Sequence, residues 1–155
     1  MLLYTPKLSE RLRYIIRTLL PGCQLTTSPE SFASYEGIRL NYSHDPLTAD
    51  ALWIKPQGLL TESGIVPQEM DCTEWQQLPV FFITYGDLPF DLLAASFYLL
   101  SRYEEYLPHD KDQYGRYAHT NSIAYQSGFL RRPLVNEWML AFTILLKQKF
   151  PQLKV

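Results

Sequence analysis

The sequence predicts an α/β fold, a single domain in which a mixed central β-sheet is packed against helices. The chain has 155 residues, 46% of them apolar and 19% charged, which is an ordinary balance for one buried core. Short apolar runs alternate along the chain with segments of helical periodicity. The first alternation is strand, helix, strand, and this order indicates an N-terminal parallel βαβ unit.

The βαβ unit is expected within residues 1–27. An apolar run over residues 2–5 predicts the first strand. Apolar residues at helical spacing over residues 8–19 predict the helix, with Ser9 or Thr5 as its N-cap. Residues 23–27 then predict the second strand, so the two strands should lie parallel in one sheet.

Residues 28–84 predict shorter elements. Ser28 and Pro29 form a typical helix start, in which the cap is followed by proline at the first helical position. The expected order is a helix to about Tyr35, a strand at 38–42, a strand at 51–55, a hairpin partner at 59–62, a polar irregular stretch at 63–78 and a strand at 79–84. The last of these is an apolar run typical of a central strand that is covered on both faces.

Two helices are predicted in the last part of the chain. The first spans Asp91 to Leu107, with Asp91 as its N-cap. The second begins at Pro133 and ends before Pro151. Between them, residues 108–132 lack periodicity but contain several aromatic residues, so we expect this segment to be ordered and packed.

Composition argues against several functional classes. Fourteen Lys and Arg residues against sixteen Asp and Glu give a net charge of −2, whereas nucleic-acid binders normally carry a basic excess. Cys23 and Cys72 have no metal-ligand spacing; two free thiols are expected, with a single disulfide between them as the alternative. No apolar run approaches the ~20 residues that span a bilayer, and no signal peptide is evident. We therefore expect a cytoplasmic chain with no membrane span and no nucleic-acid partner.

Motifs for metal or cofactor binding are weak. None of the three histidines has a second histidine at helical spacing, and no glycine-rich phosphate loop occurs. Residues 110–115 partly match a calcium loop, but Tyr114 occupies a ligand position and Asn121 stands where a bidentate glutamate is required. A solvated turn explains this segment better. The sequence thus predicts no cofactor and no metal site.

The most unusual stretch is Arg102 to Tyr106. On a continuous helix, Tyr98, Arg102 and Tyr106 follow one another at four-residue spacing, so Arg102 would lie between two aromatic rings. Arg102 would also pair with Glu105, three residues later. The simplest interpretation is a helix face that packs against its neighbours. The alternative is a charged pair that faces a cleft or a partner.

Glu104 falls on the more apolar side of this helix, where a buried carboxylate needs a partner such as Arg116, Arg131 or Arg132. Tyrosines are also concentrated in this region. Flat rings beside polar groups suit a sugar-binding surface, although ordinary packing explains them as well. The candidate residues for contact with a glycan or a partner are Tyr98, Arg102, Glu105, Tyr106, Tyr114, Tyr117 and Trp138.

Several runs of the sequence resemble one known domain. The most specific is LPFDLLAASFYLLSRYEEYLP over residues 88–108. The other matching runs are residues 4–8, 11–14, 40–43, 58–60, 64–65, 122–126, 128–130 and 132–136. Together they cover nearly the whole chain and resemble the N-terminal domain that precedes the catalytic domain of bacterial polysaccharide deacetylase family proteins.

The resemblance implies that residues 1–155 are one N-terminal accessory domain, followed in the same polypeptide by a metal-dependent deacetylase domain. That catalytic domain carries an Asp-Asp pair and an H-x-x-x-H motif, and this sequence contains neither. No catalytic or metal-binding residue is therefore carried over. We expect a non-catalytic domain whose partners are the C-terminal deacetylase domain, a polysaccharide, or both.

Two alternatives stay open. The first is an independent enzyme with a site of Arg102, Glu104 and Glu105 together with His109 or His119. A cleft that gathers these groups would favour it. The second is a purely structural interaction module, which an exposed apolar patch would favour.

Overall fold

The computed structural model of the chain describes residues 1–107, 122 and 133–152, with a parallel four-stranded sheet at its centre. The strands are β1 (Leu2–Tyr4), β2 (Gln24–Thr26), β3 (Arg39–Asn41) and β4 (Leu52–Trp53), in the order β2-β1-β3-β4. Strand β1 pairs with both β2 and β3, so Leu3 lies opposite Leu25 on one side and opposite Leu40 on the other.

Helix α1 (Glu10–Leu19) connects β1 to β2 and completes the predicted βαβ unit. The Ser9 hydroxyl caps this helix, since the Leu12 N–H donates to Ser9 Oγ at 3.1 Å. Helix α2 (Pro29–Ser34) starts in the same way, with Ser28 as its cap and Pro29 at its first position. Both helices are thus confirmed where the sequence predicts them.

A strand places alternate side chains on opposite sides, and both faces of this sheet are covered. One face carries a small cluster of buried residues, Leu2, Tyr4, Phe32 and Ala51. The larger core includes Leu3 and Leu40, and α1 contributes Leu12, Ile15 and Ile16 to it. Helix α2 therefore covers one face of the sheet, whereas α1 packs into the main core on the other.

Two further helices complete the larger core. Helix α3 (Leu92–Leu100) starts at the predicted N-cap Asp91, but it ends at Leu100 and a 3-10 turn follows at Tyr103–Tyr106. Helix α4 (Leu134–Lys149) begins after Pro133, as predicted. Within the described ranges, no helix is long and apolar enough to cross a membrane.

The chain between β4 and α3 differs from the prediction. The predicted hairpin strand at 59–62 is wrong: Leu59–Thr61 is a 3-10 turn whose Leu59 and Leu60 are buried against α1 and α3. The stretch at 63–78, predicted to be irregular, contains strand β5 (Thr73–Trp75). A turn with positive φ at Gln76 and Gln77 joins β5 to the antiparallel strand β6 (Leu78–Val80).

The predicted central strand at 79–84 is wrong beyond Val80. Phe82 has a φ of 58°, which interrupts the extended backbone, and this segment is not part of the central sheet. Phe81 and Phe82 of this segment are nevertheless buried in the main core, whereas Ile83 is 42% exposed. The α/β fold class is confirmed, and among the described strands antiparallel pairing is confined to the separate β5–β6 sheet.

Strand β4 lies at one edge of the central sheet, and residues 85–88 contact it. The Trp53 N–H donates to Asp87 Oδ2 at 2.7 Å, and the Asp87 N–H donates to the Trp53 carbonyl oxygen at 2.8 Å. A side chain at Gly86 would place a Cβ 2.6 Å from the same carbonyl oxygen. The close approach of this loop therefore requires glycine at position 86.

Candidate functional site

Arg102, Glu105 and Tyr106, which we name the Arg102 turn, follow the C-terminal end of α3. Arg102 has a left-handed backbone (φ 56°, ψ 43°), so the helix does not continue through it. Its guanidinium pairs with the Glu105 carboxylate, as predicted, and 73% of the Arg102 side chain is exposed. Tyr106, which follows Glu105 in the chain, is 70% exposed.

The predicted stacking of Arg102 between Tyr98 and Tyr106 is wrong, because the helix on which it depends has ended. The break turns Tyr103 inward. Its hydroxyl accepts from the Val66 N–H at 2.8 Å and donates to the Val66 carbonyl oxygen at 2.9 Å. The Tyr103 ring packs against Tyr98 with 5.4 Å between centroids. A residue 37 positions away thus shapes the end of α3, which local spacing cannot reveal.

The arginine that lies between two aromatic rings is Arg11 and not Arg102. Its guanidinium carbon lies 5.6 Å from the ring centroid of Phe97 and 5.7 Å from that of Tyr103. The same guanidinium donates to the carbonyl oxygens of Leu59, at 2.8 Å, and Gly64. Arg11 therefore joins α1, α3 and the chain beyond β4 through one side chain.

Two other predicted contact residues, Trp138 and Tyr98, do not extend the exposed surface. Trp138 is fully buried and its indole N–H donates to the Pro79 carbonyl oxygen at 2.9 Å, while Tyr98 is only 3% exposed. Neither ring offers a face to a glycan in this structure. Tyr114 and Tyr117 lie outside the described residues. So do the calcium-like loop, the predicted ordered segment 108–132 apart from Ser122, and the arginines suggested as partners of the half-buried Glu104.

A second polar group, which the sequence reasoning missed, surrounds Asp91 at the N-terminal end of α3. We name Tyr42, Gln57 and Asp91 the Asp91 centre. The fully buried Asp91 carboxylate accepts from the Tyr42 hydroxyl at 2.6 Å, from the Gln57 N–H at 2.8 Å and from the Ala94 N–H at 3.0 Å. The bond from Ala94 is the predicted N-cap. The other two bonds tie the chain after β3 and after β4 to the start of α3.

Burial governs the electrostatics of the Asp91 centre. Desolvation raises the pKa of Asp91 from 3.8 to about 6, and the hydrogen bonds it accepts offset only part of that effect. Burial, and then the negative charge of Asp91, raise the pKa of Tyr42 well above its ordinary value. The proton therefore stays on the Tyr42 oxygen. Since both oxygens of Asp91 are occupied by donors from its own chain, this carboxylate holds segments together.

A cavity of about 300 Å³ lies beside the Asp91 centre, lined by Gln57, Glu69, Asp71, Phe82 and Ile83. Gln57 comes after β4, and open α/β sheets commonly bind ligands beyond the carboxyl ends of their strands. The exposed carboxylates of Glu69 and Asp71 suit cationic or hydroxylated groups. In the part of the chain that the structure describes, no group of three or more His, Cys, Asp or Glu residues could hold a metal ion.

Phe82 connects this cavity to the Asp91 centre. Its positive φ is unusual for a bulky residue, and its carbonyl oxygen accepts from the Asp91 N–H at 2.9 Å. The sequence did not predict the cavity or the Asp91 centre, because the residues that line the cavity come from three separate segments of the chain. The predicted Asp91 cap is the only local signal that pointed to this region.

Nearly the whole chain matches one protein family. No curated protein and no solved structure matches it significantly. The matching family model is described as a family of unknown function (DUF7033), and it covers residues 1–151. Because the match extends over the central sheet, all four helices of the described ranges, the Asp91 centre and the Arg102 turn, the chain belongs to the DUF7033 family.

Proposed function

We propose that the chain is a non-catalytic accessory domain of a polysaccharide deacetylase family protein, where it positions the catalytic domain, a glycan or both. The observation that supports this best is the burial of most of α3 within residues 88–107, which are the described part of the most specific matching run. Seven successive residues of α3, Leu92 to Tyr98, are buried. This run therefore supplies the interior of the domain.

The titratable groups of the same run also favour a non-catalytic role. The Arg102 guanidinium and the Glu105 carboxylate neutralise each other at the surface, and Asp91 is enclosed by its own donors. The independent-enzyme alternative needs Arg102, Glu104 and Glu105 to converge on a cleft with His109 or His119. Both histidines lie outside the described residues, and the exposure of Arg102 argues against that arrangement.

The contact surface that we propose is the Arg102 turn. Tyr106 exposes a flat ring and follows Glu105 in the chain, whose carboxylate pairs with the Arg102 guanidinium. An aromatic ring, a guanidinium and a carboxylate suit the apolar face and the hydroxyls of a sugar. The interaction-module alternative has its own support, because Leu140 and Ile144 of α4 are exposed apolar residues.

The first test measures acetate release from an acetylated glycan. It compares the chain alone, the polypeptide in which a deacetylase domain follows it, and that polypeptide without residues 1–151. We expect no turnover by the chain alone and a lower kcat/KM after the deletion. Turnover by the pure chain that a chelator abolishes would contradict the proposal, as would an unchanged kcat/KM after the deletion.

The second test leaves the domain in place and changes only its surface. Tyr106→Ala in the longer polypeptide should raise KM by about threefold to tenfold, because one ring contact is lost. Tyr85→Ala is the matched control, since Tyr85 is 82% exposed and lies before α3. Equal KM values for the two variants would count against the Arg102 turn as the contact surface.

A further inference from the structure

Helix α4 carries apolar side chains on its outer face as well as on its inner face. Trp138, Phe142 and Leu146 are buried in the core, whereas Leu140 is 68% exposed and Ile144 is 58% exposed. No charged residue occurs from Trp138 to Leu146. Since a helix that is apolar all round is normally covered all round, the outer face of α4 is expected to have a partner.

The apolar surface continues beyond the two exposed side chains. Thr143, one turn from Leu140, lines a groove of about 380 Å³ with Met139 of the same helix. Leu19 and Leu20 form the opposite wall of that groove, at the end of α1. The exposed surface of α4 is therefore larger than one pair of side chains and includes a depression next to it.

The two ends of α4 carry opposite charges. Glu137 lies in its first turn and interacts within its own chain, whereas Lys147 and Lys149 lie in its last turn. Lys149 is near Asp87, at 3.9 Å, whereas Lys147 is exposed. A helix with an acidic start, an apolar middle and a basic end is complementary to a reversed copy of itself.

We propose that the outer face of α4, formed by Asn136, Leu140, Ile144 and Lys147, binds a second copy of this chain in an antiparallel helix pair. With a two-fold axis at the level of Phe142, Leu140 lies beside the partner's Ile144. Lys147 then lies at the level of the partner's Glu137, whose charge it complements. Leu140 and Ile144 are four residues apart, and side chains at this spacing form a ridge that can pack against another helix.

The strength of this association follows from its size. One helix pair with a flanking groove buries less than the roughly 1,600 Å² of a standard interface, so the dimer should be weak. We expect a Kd on the order of micromolar, with two identical contacts related by the two-fold axis.

Sedimentation equilibrium of the full 155-residue chain over a concentration series tests the proposal. The chain should form a dimer, and Leu140→Glu should weaken it by about a hundredfold, because the change occurs twice in each dimer. Leu47→Glu is the matched control, since Leu47 is a surface leucine that is 45% exposed. Equal unfolding midpoints of the two variants would show that the loss of dimer is not a loss of folding.

Cross-linking tests the antiparallel register separately. Two single-cysteine variants, Leu140→Cys and Ile144→Cys, are mixed in a background in which Cys23 and Cys72 are replaced by serine. A disulfide between the two different variants should form faster than one between identical chains. A chain that stays monomeric at every concentration, or a dimer that Leu140→Glu does not weaken, would overturn the proposal.

Discussion

The two ends of helix α3 each carry a charged residue near a tyrosine, yet the surroundings of the two charges are opposite. At the N-terminal end, Asp91 is fully buried and accepts hydrogen bonds from Tyr42, Gln57 and Ala94. At the C-terminal end, 73% of the Arg102 side chain is exposed and its described ion-pair partner is Glu105. Both charges have the sign that the helix dipole favours.

From this difference in burial we expect the two charges to contribute differently to folding. Without Asp91, the Tyr42 hydroxyl and the Ala94 N–H would lose their acceptor in the buried interior. Without Arg102, solvent can take its place as the partner of Glu105. The Asp91 centre should therefore behave as part of the framework. Substitutions in the Arg102 turn should change the free energy of unfolding little, so this turn can vary as a contact surface without loss of the fold.

Asp91→Ala should have the largest effect. The substitution leaves the Tyr42 hydroxyl and the N–H groups of Gln57 and Ala94 without an acceptor in the interior. We expect the free energy of unfolding to fall by about 3 kcal/mol or more, measured by urea denaturation. A loss below about 1 kcal/mol would show that water or a rearranged backbone satisfies these donors, and the contrast between the two ends would disappear.

The second largest effect should be a change in the free energy of unfolding with pH. The pKa of Asp91 in the folded protein, about 6, lies above its ordinary value of 3.8, so the folded state binds this proton more tightly than the unfolded chain. The resulting stabilisation, on the order of 3 kcal/mol, is fully present below about pH 4 and is lost as the pH rises through 6.

Urea denaturation of the parent and of Asp91→Asn over about pH 4 to 8 isolates this contribution. The stability difference, parent minus variant, should decrease as the pH rises, because the variant has no carboxyl group at this position. A difference that is the same at every pH would mean that burial does not raise the pKa of Asp91.

Arg11→Ala sharpens the comparison, because Arg11 is an arginine with the surroundings that Arg102 lacks. The change removes the contacts with the Phe97 and Tyr103 rings and the donors to Leu59 and Gly64. We expect a loss of about 2 kcal/mol in the free energy of unfolding. Arg11→Lys should recover only part of it, since an ammonium cannot reproduce the planar fork.

Arg102→Ala should have the smallest effect. Its guanidinium is exposed and pairs with Glu105 in solvent, so the free energy of unfolding should change by about 0.5 kcal/mol or less. The measurement is the urea midpoint, taken beside that of Arg11→Ala. A loss as large as that of Arg11→Ala would contradict this expectation and would favour a packed Arg102, as on a continuous helix.

Prediction from the sequence succeeded where the signal is local. The caps at Ser9, Ser28 and Asp91 and the start of α4 after Pro133 each depend on a few neighbouring residues. Cap chemistry and proline geometry act within one turn, so the sequence alone reveals them.

Prediction failed where distant residues decide. The spacing of Tyr98, Arg102 and Tyr106 continues the helical pattern, and no glycine or proline interrupts it. The contact of Tyr103 with Val66, 37 positions away, accompanies the end of the helix. Ala94, three positions from Asp91, forms the predicted cap, whereas Tyr42 and Gln57 lie 49 and 34 positions away and were not predicted.

The loop at residues 85–88 bears on how the molecule avoids unwanted association. An open sheet edge is where β-strands of different molecules add to one another and where fibrous aggregates begin. At β4, the Trp53 N–H and carbonyl are already bonded to Asp87, and Gly86 lies too close to that carbonyl for any other residue. An incoming strand would have to displace this loop first. A side chain at position 86 would lift the loop and uncover the edge, so this glycine serves colloidal stability as well as folding.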